Sequence, residues 1–90
     1  MTVTRTGPET LRLQFDGPIT QYATPVTGFE VLTEVGGWVT PLYVGGSPEA
    51  GTIDVADGGA GSDWRIETTM ANYTGAGGEP IASGSGQIVG

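Results

Sequence analysis

The chain contains no cysteine, no histidine and no lysine. Each absence removes a class of chemistry. Without His or Cys there is no Ser-His-Asp triad, no thiolate nucleophile, no zinc site of the usual nitrogen–sulfur kind and no haem held through His. Without Lys there is no Schiff base and no Walker-type grip on phosphate. Carboxylate pairs could still do acid–base work, as in glycosidases. That chemistry needs a cleft deep enough to shift a carboxylate pKa, which a β domain of 90 residues seldom builds. The expectation is a protein that is not an enzyme and needs no cofactor. The lack of disulfides fits any compartment.

Basic charge and large aliphatic side chains are also scarce. Ten acids stand against three Arg, for a formal net charge of −7. Nucleic acids and anionic membranes both demand a basic patch, so neither is expected as a partner. The acids are scattered along the chain, which argues against an acidic mimic. No apolar run approaches the length of a membrane span and no signal-peptide pattern opens the sequence. Starting at its own Met1, the chain reads as a small free-standing gene product or a single excised domain. Leu, Ile, Val and Phe make up only 19 of 90 residues, while Gly and Pro make up 23. Those proportions lie on the border between a Gly-rich disordered segment and a small β domain.

The placement of the glycines decides between the two. Apolar residues alternate with polar ones in short runs that contain no Gly, and helical periodicity is missing. Thr10–Asp16 puts Leu11, Leu13 and Phe15 on one face, and Phe29–Val35 puts Phe29, Val31 and Val35 on one face. Gly36-Gly37 then offers the positive-φ pair of a tight hairpin. Trp38–Val44 continues as a strand that Pro41, lacking an N–H, confines to a sheet edge. Thr52–Ala56 carries Ile53 and Val55 inward, and Trp64–Met70 carries Trp64, Ile66, Thr68 and Met70 inward. Thr2–Thr6 and Gln87–Val89 are weaker strands. The sum is about seven strands without a helix, which predicts an all-β antiparallel sandwich in a single domain over residues 1–90. Residues 1–9 form an N-terminal arm or first strand, and residues 75–90 a Gly-rich loop and last strand.

The second half has a more specific spacing. Trp64, Ile66, Thr68, Met70, Asn72 and Gly75 follow the pattern of the sixth strand of fibronectin type III domains, and Gly78-Glu79-Pro80 follows as that family's next turn often does. Gly28-Phe29-Glu30-Val31 matches the opening of the family's third strand, Gly37-Trp38 the turn after it, and Leu11, Leu13 and Phe15 its second strand. On these residues the chain resembles a fibronectin type III or Ig-like domain over roughly residues 8–89. Two positions depart from the pattern: Phe15 stands where the family usually has Trp, and Trp64 where it usually has Tyr. The second departure removes the hydroxyl that ties the corner before that strand to backbone. No Arg-Gly-Asp triplet is present, so the integrin-binding use of the fold is not implied. Similar small domains serve as decorations on bacteriophage particles and as accessory modules of secreted glycan-active enzymes.

Three sets of residues stand out as candidate sites. Asp54, Asp57 and Asp63 surround Gly58-Gly59-Ala60-Gly61-Ser62-Asp63, the start of a calcium-binding nonapeptide repeat. The repeat binds calcium between stacked copies and only one copy is present, so the competing reading is a tight loop kept wet by its acids. Tyr22, Trp38, Tyr43 and Tyr73 could stack on sugar rings, or serve as core and half-buried side chains. Thr2, Val3, Thr4, Ile88 and Val89 are β-prone, apolar-tipped ends suited to adding a strand to a neighbouring subunit. The leading expectation is a capsid decoration (cement) protein or other virion surface protein that stabilises coat subunits by contact. The alternative is an extracellular carbohydrate-binding or spacer module. Coat proteins or other virion proteins are the expected partners, with self-association and glycan binding left open.

Overall fold

A computed structural model describes the protein over residues 1–21, 26–34, 36–59, 61–70, 73–75, 77–81 and 84–90, without the side chains of Thr20 and Gln21. The described residues are nearly all β. The strands are β1 (Thr2–Arg5), β2 (Thr10–Gln14), β3 (Ile19–Gln21), β4 (Phe29–Thr33), β5 (Gly37–Val39), β6 (Leu42–Ser47), β7 (Thr52–Ala56), β8 (Asp63–Ile66), β9 (Thr74–Gly75) and β10 (Gly84–Gln87). A single turn of 3-10 helix at Pro48–Ala50 interrupts them.

Two antiparallel four-stranded sheets result, one ordered β1-β2-β7-β6 and the other β10-β8-β4-β5, with β3 and β9 forming a separate two-stranded ribbon. Register follows the alternation read from the sequence. In the first sheet Val3 lies opposite Leu13 and Leu13 opposite Ile53, while Leu11 lies opposite Val55. In the second, Val31 lies opposite Trp64 and Phe29 opposite Ile66. Because side chains on a strand alternate between faces, these rows put Val3, Leu11, Leu13, Ile53 and Val55 on one face of the first sheet and Phe29, Val31, Trp64 and Ile66 on one face of the second. The inner faces share one core, to which Phe15, Ile19, Val26, Met70 and Tyr73 also belong.

The expected all-β sandwich is present, with more strands than the seven the alternation indicates. One cause is Pro41. Trp38–Val44 is not one strand: β5 pairs with β4 in the second sheet, and after Thr40 and Pro41 the chain crosses to pair as β6 with β7 in the first. A residue without an N–H ends one ladder there, and both pieces are edge strands, as a proline requires. The other cause is the β3–β9 ribbon, whose strands are too short to show periodicity.

Three local readings are corrected. In the β4–β5 hairpin Gly37 lies opposite Thr33 at φ +67° while Gly36 is not at positive φ, so the turn is not built on a positive-φ Gly36-Gly37 pair; Val35, expected at the inward end of the strand, lies outside the described residues. The Thr33 hydroxyl accepts from Gly36 N–H at 3.0 Å and donates to the Gly37 carbonyl at 3.1 Å, closing the turn. The strand predicted over Trp64–Met70 stops at Ile66, and Thr68 is exposed, although Met70 returns to the core. Finally, glycines do not only punctuate strands: β6, β9 and β10 contain them.

In β10 they have a packing role. Gly86 pairs with Trp64, and the indole lies beneath the bare backbone of β10. A Cβ on Gly84 would meet the ring at 3.5 Å, an ordinary contact, whereas one on Gly86 would lie 3.0 Å from Nε1 and 3.3 Å from Cε2. Gly86→Ala is expected to cost about 1–2 kcal/mol by overpacking. Gly84→Ala should stay within about 0.5 kcal/mol of the parent. Paired urea-unfolding curves check the difference.

Candidate functional site

Two of the three calcium candidates, Asp57 and Asp54, are held in ion pairs. Asp57 follows β7, its side chain is fully buried, and Arg5 from the end of β1 grips it with both nitrogens, at 3.1 Å to Oδ1 and 2.6 Å to Oδ2. The amides of Gly59 and Gly61 donate to the same two oxygens at 2.9 and 3.2 Å. The loop that looked wet in sequence is thus wound around a dry carboxylate, and its glycines bring backbone donors to it. Burial pushes the Asp57 carboxyl up, but the Arg5 and backbone hydrogen bonds together with the Arg5 charge outweigh it and hold the group below its ordinary pKa. Asp54 is committed elsewhere: it lies opposite Arg12 across the β2–β7 ladder and accepts from it at 2.8 and 3.0 Å. Asp63 accepts a 3.4 Å bond from the Ser62 hydroxyl and has no ion pair among the described residues. Among the described residues no three acidic side chains converge in a metal-binding arrangement.

The aromatic candidates are dispersed. Tyr73 is buried in the core and cannot present a ring to a sugar. Tyr43 packs half-buried against the core from β6, and Tyr22 lies outside the described residues. Among the described candidates Trp38 reaches the outer face of the second sheet, where the Arg65 guanidinium stacks 4.1 Å from its ring centroid. Arg65 is held in turn by Glu30 at 3.0 Å and Glu67 at 2.6 Å. Beside Trp38 runs a shallow groove of about 340 Å³, bordered by Asp63, Ser85 and Gln87.

The chain ends are not free arms. Val3 is fully buried, Val89 donates to the Val3 carbonyl at 2.9 Å, and Arg5 donates to the Val89 carbonyl at 2.8 Å, so the two ends pair in parallel with each other. Ile88 packs half-buried against the core and its N–H bonds Ser62 at 3.0 Å. Thr2, Val3, Thr4, Ile88 and Val89, expected as arms that add strands to a neighbouring subunit, are thus joined to each other and to the core within the chain. The backbone groups that strand addition would need are in part already used.

The open edge lies on the opposite side of that sheet. β6 is the last strand of its sheet, beside β7, and Leu42 and Val44 expose 62% and 55% of their surface. No charge protects Leu42–Ser47, although charges are a common device by which edges resist pairing. The sequence signal was present in the uncharged Leu-Tyr-Val-Gly-Gly-Ser run bounded by Pro41 and Pro48, but it is visible only once Pro41 is understood as a sheet crossing.

These features define an all-β sandwich whose acids are partly tied down and whose polar surface includes one uncharged apolar edge. The chain matches no protein-family model, no curated protein and no solved structure.

Proposed function

We propose that the chain is a non-enzymatic fibronectin-III- or Ig-like module that works by surface contact, as a decoration (cement) protein on a virus particle. The sheet orders support the lineage: β1-β2-β7-β6 corresponds to Ig strands A-B-E-D, and β10-β8-β4-β5 to G-F-C with an added neighbour. The observation that carries the function is β6. It offers a coat subunit the edge of a sheet together with two exposed apolar side chains, Leu42 and Val44, the combination used in strand addition. Flanking prolines and the irregular register between Tyr43 and Gly45 keep the open segment short. One partner strand can dock there, while open-ended sheet growth is disfavoured. Apolar burial and edge hydrogen bonds then reinforce neighbouring coat subunits, and the protein resides in the virion.

Co-sedimentation with coat-protein shells from the same source tests this reading. The parent chain is expected to pellet with the shells. The double variant Leu42→Asp with Val44→Asp should lose about tenfold or more in affinity and keep its melting temperature, because both side chains are exposed. A chain that stays in the supernatant, or a variant that binds as well as the parent, overturns the proposal.

A carbohydrate-binding or spacer role in an extracellular system is the second reading, and the half-exposed Trp38 at its groove supports it. It requires that a glycan array give a signal and that binding change the tryptophan fluorescence. A silent array removes it.

A further inference from the structure

We propose a covalent modification site that does not depend on the reading above. Asp16-Gly17, in the turn after β2, closes spontaneously to a cyclic imide and reopens as isoaspartate, whereas the fold holds Asp57-Gly58 out of the same reaction. These are the two Asp-Gly pairs of the chain. In the reaction the glycine nitrogen attacks Cγ of the aspartic acid. An N–Cγ bond forms, the Cγ–OH bond breaks, and the amide proton leaves with the hydroxyl as water. Water then adds to the imide at one of its two carbonyls. Cleavage of the N–Cγ bond restores aspartate, and cleavage of the original peptide bond leaves the main chain running through Cβ and Cγ. The step needs a carboxyl free to turn onto the nitrogen, an N–H that is not hydrogen-bonded, and a following residue without a Cβ to crowd the ring.

Asp16 and Gly17 meet these conditions. Both are exposed, and among the described residues Asp16 has no ion pair and the Gly17 N–H no hydrogen bond. A Cβ at Gly17 would meet nothing within 4 Å, so the ring has space to close. At Asp57 the carboxylate is fixed instead: Arg5 and the Gly59 and Gly61 amides occupy both of its oxygens. The same bonds hold its pKa low and keep it charged, and a carboxylate has no hydroxyl to lose. Asp57 therefore reacts only from a locally opened state.

Isomerisation at Asp16 also changes the path of the backbone. The turn is docked on Gly51: the Phe15 N–H donates to the Gly51 carbonyl at 2.8 Å, and a Cβ on Gly51 would lie 2.8 Å from the Gly17 carbonyl oxygen. Isoaspartate inserts a methylene, about 1.5 Å of main chain, between the buried Phe15 and the buried Ile19. The Gly17 carbonyl then leaves its seat on Gly51.

The test incubates the purified protein at mildly acidic pH and body temperature, both folded and in urea. Isoaspartate is located by peptide mapping with electron-transfer fragmentation. In the folded protein it is expected at position 16 at about tenfold or more its level at position 57, and in urea the two should accumulate at similar rates. Gly17→Ala, which the open space around Gly17 accommodates, should slow the reaction at position 16 severalfold. As product accumulates, the Gly17 and Gly51 amide NMR signals should each gain a second peak, with Val31 in the other sheet unchanged. Isoaspartate at position 57 equal to that at 16 in the folded protein would overturn the inference. So would none at 16 while the chain in urea converts, or an unchanged rate in Gly17→Ala.

Discussion

Replacing Asp57 by alanine should lower the unfolding free energy by about 3 kcal/mol, at the lower end of the range for one half of a buried ion pair. The lower end applies because Arg5 keeps 21% of its side chain exposed and regains some hydration when its partner is lost. The Gly59 and Gly61 amides lose their acceptor at the same time, which adds to the cost. Replacing both partners together, Arg5→Met with Asp57→Leu, should cost less than the single change, since no orphaned charge is left behind. The pair also predicts an acid limb. Asp57 has its pKa depressed in the folded state, so its contribution is complete above the unfolded carboxyl pKa of about 4 and is lost as pH falls through the lower folded value. Asp57→Asn should therefore show a flatter fall in stability below about pH 4 than the parent, measured by urea unfolding across the pH range.

The second large effect is expected at Trp64. Its indole stacks on Phe29 with centroids 6.1 Å apart and rings 19° from parallel, and it fills the space beneath β10. Trp64→Ala removes that volume from a core the surrounding strands cannot collapse into, at a cost of about 3–5 kcal/mol. A domain of this size has a total stability of roughly 5–13 kcal/mol, so the variant should lose a large share of it and melt far lower. Trp64→Phe should retain more than half of the lost stability. In that background Gly86→Ala should become less costly, because the methyl group then meets space instead of the indole. Non-additivity of the two changes in a double-mutant cycle measures the contact directly. Additive costs would show that Trp64 and Gly86 are energetically independent.

Much of the fold was legible where alternation was long enough to be unambiguous. Thr52–Ala56 is a strand with the bounds read from sequence, and Leu11, Leu13, Phe29, Val31, Ile53, Val55, Trp64 and Ile66 all point inward. Thr68 shows the limit: the period of two continued in the sequence after the strand had ended, because nothing local marks where a partner strand runs out. Tyr73 shows another. An aromatic near a predicted loop looks available, yet an end-closing segment can bury it completely. The candidate sites were less legible than the fold, since each depended on pairs far apart in the chain. Arg5 meets Asp57 across 52 positions, and Val89 meets Thr4 at the two ends. Neither contact leaves a periodic trace.

The sequence by itself determined the class of the protein. Two-residue alternation without helical periodicity calls for sheets whose apolar faces cover one another, and missing His, Cys and Lys exclude their chemistries whatever the fold. Only the tertiary structure decided which edges are open and which charges are spent. Sheet membership at Pro41, the closure of the two ends on each other and the burial of Asp57 under Arg5 all arise from groups brought together over long chain separations. Their energies depend on distance and burial in space, and neighbouring residues in the sequence carry no record of either.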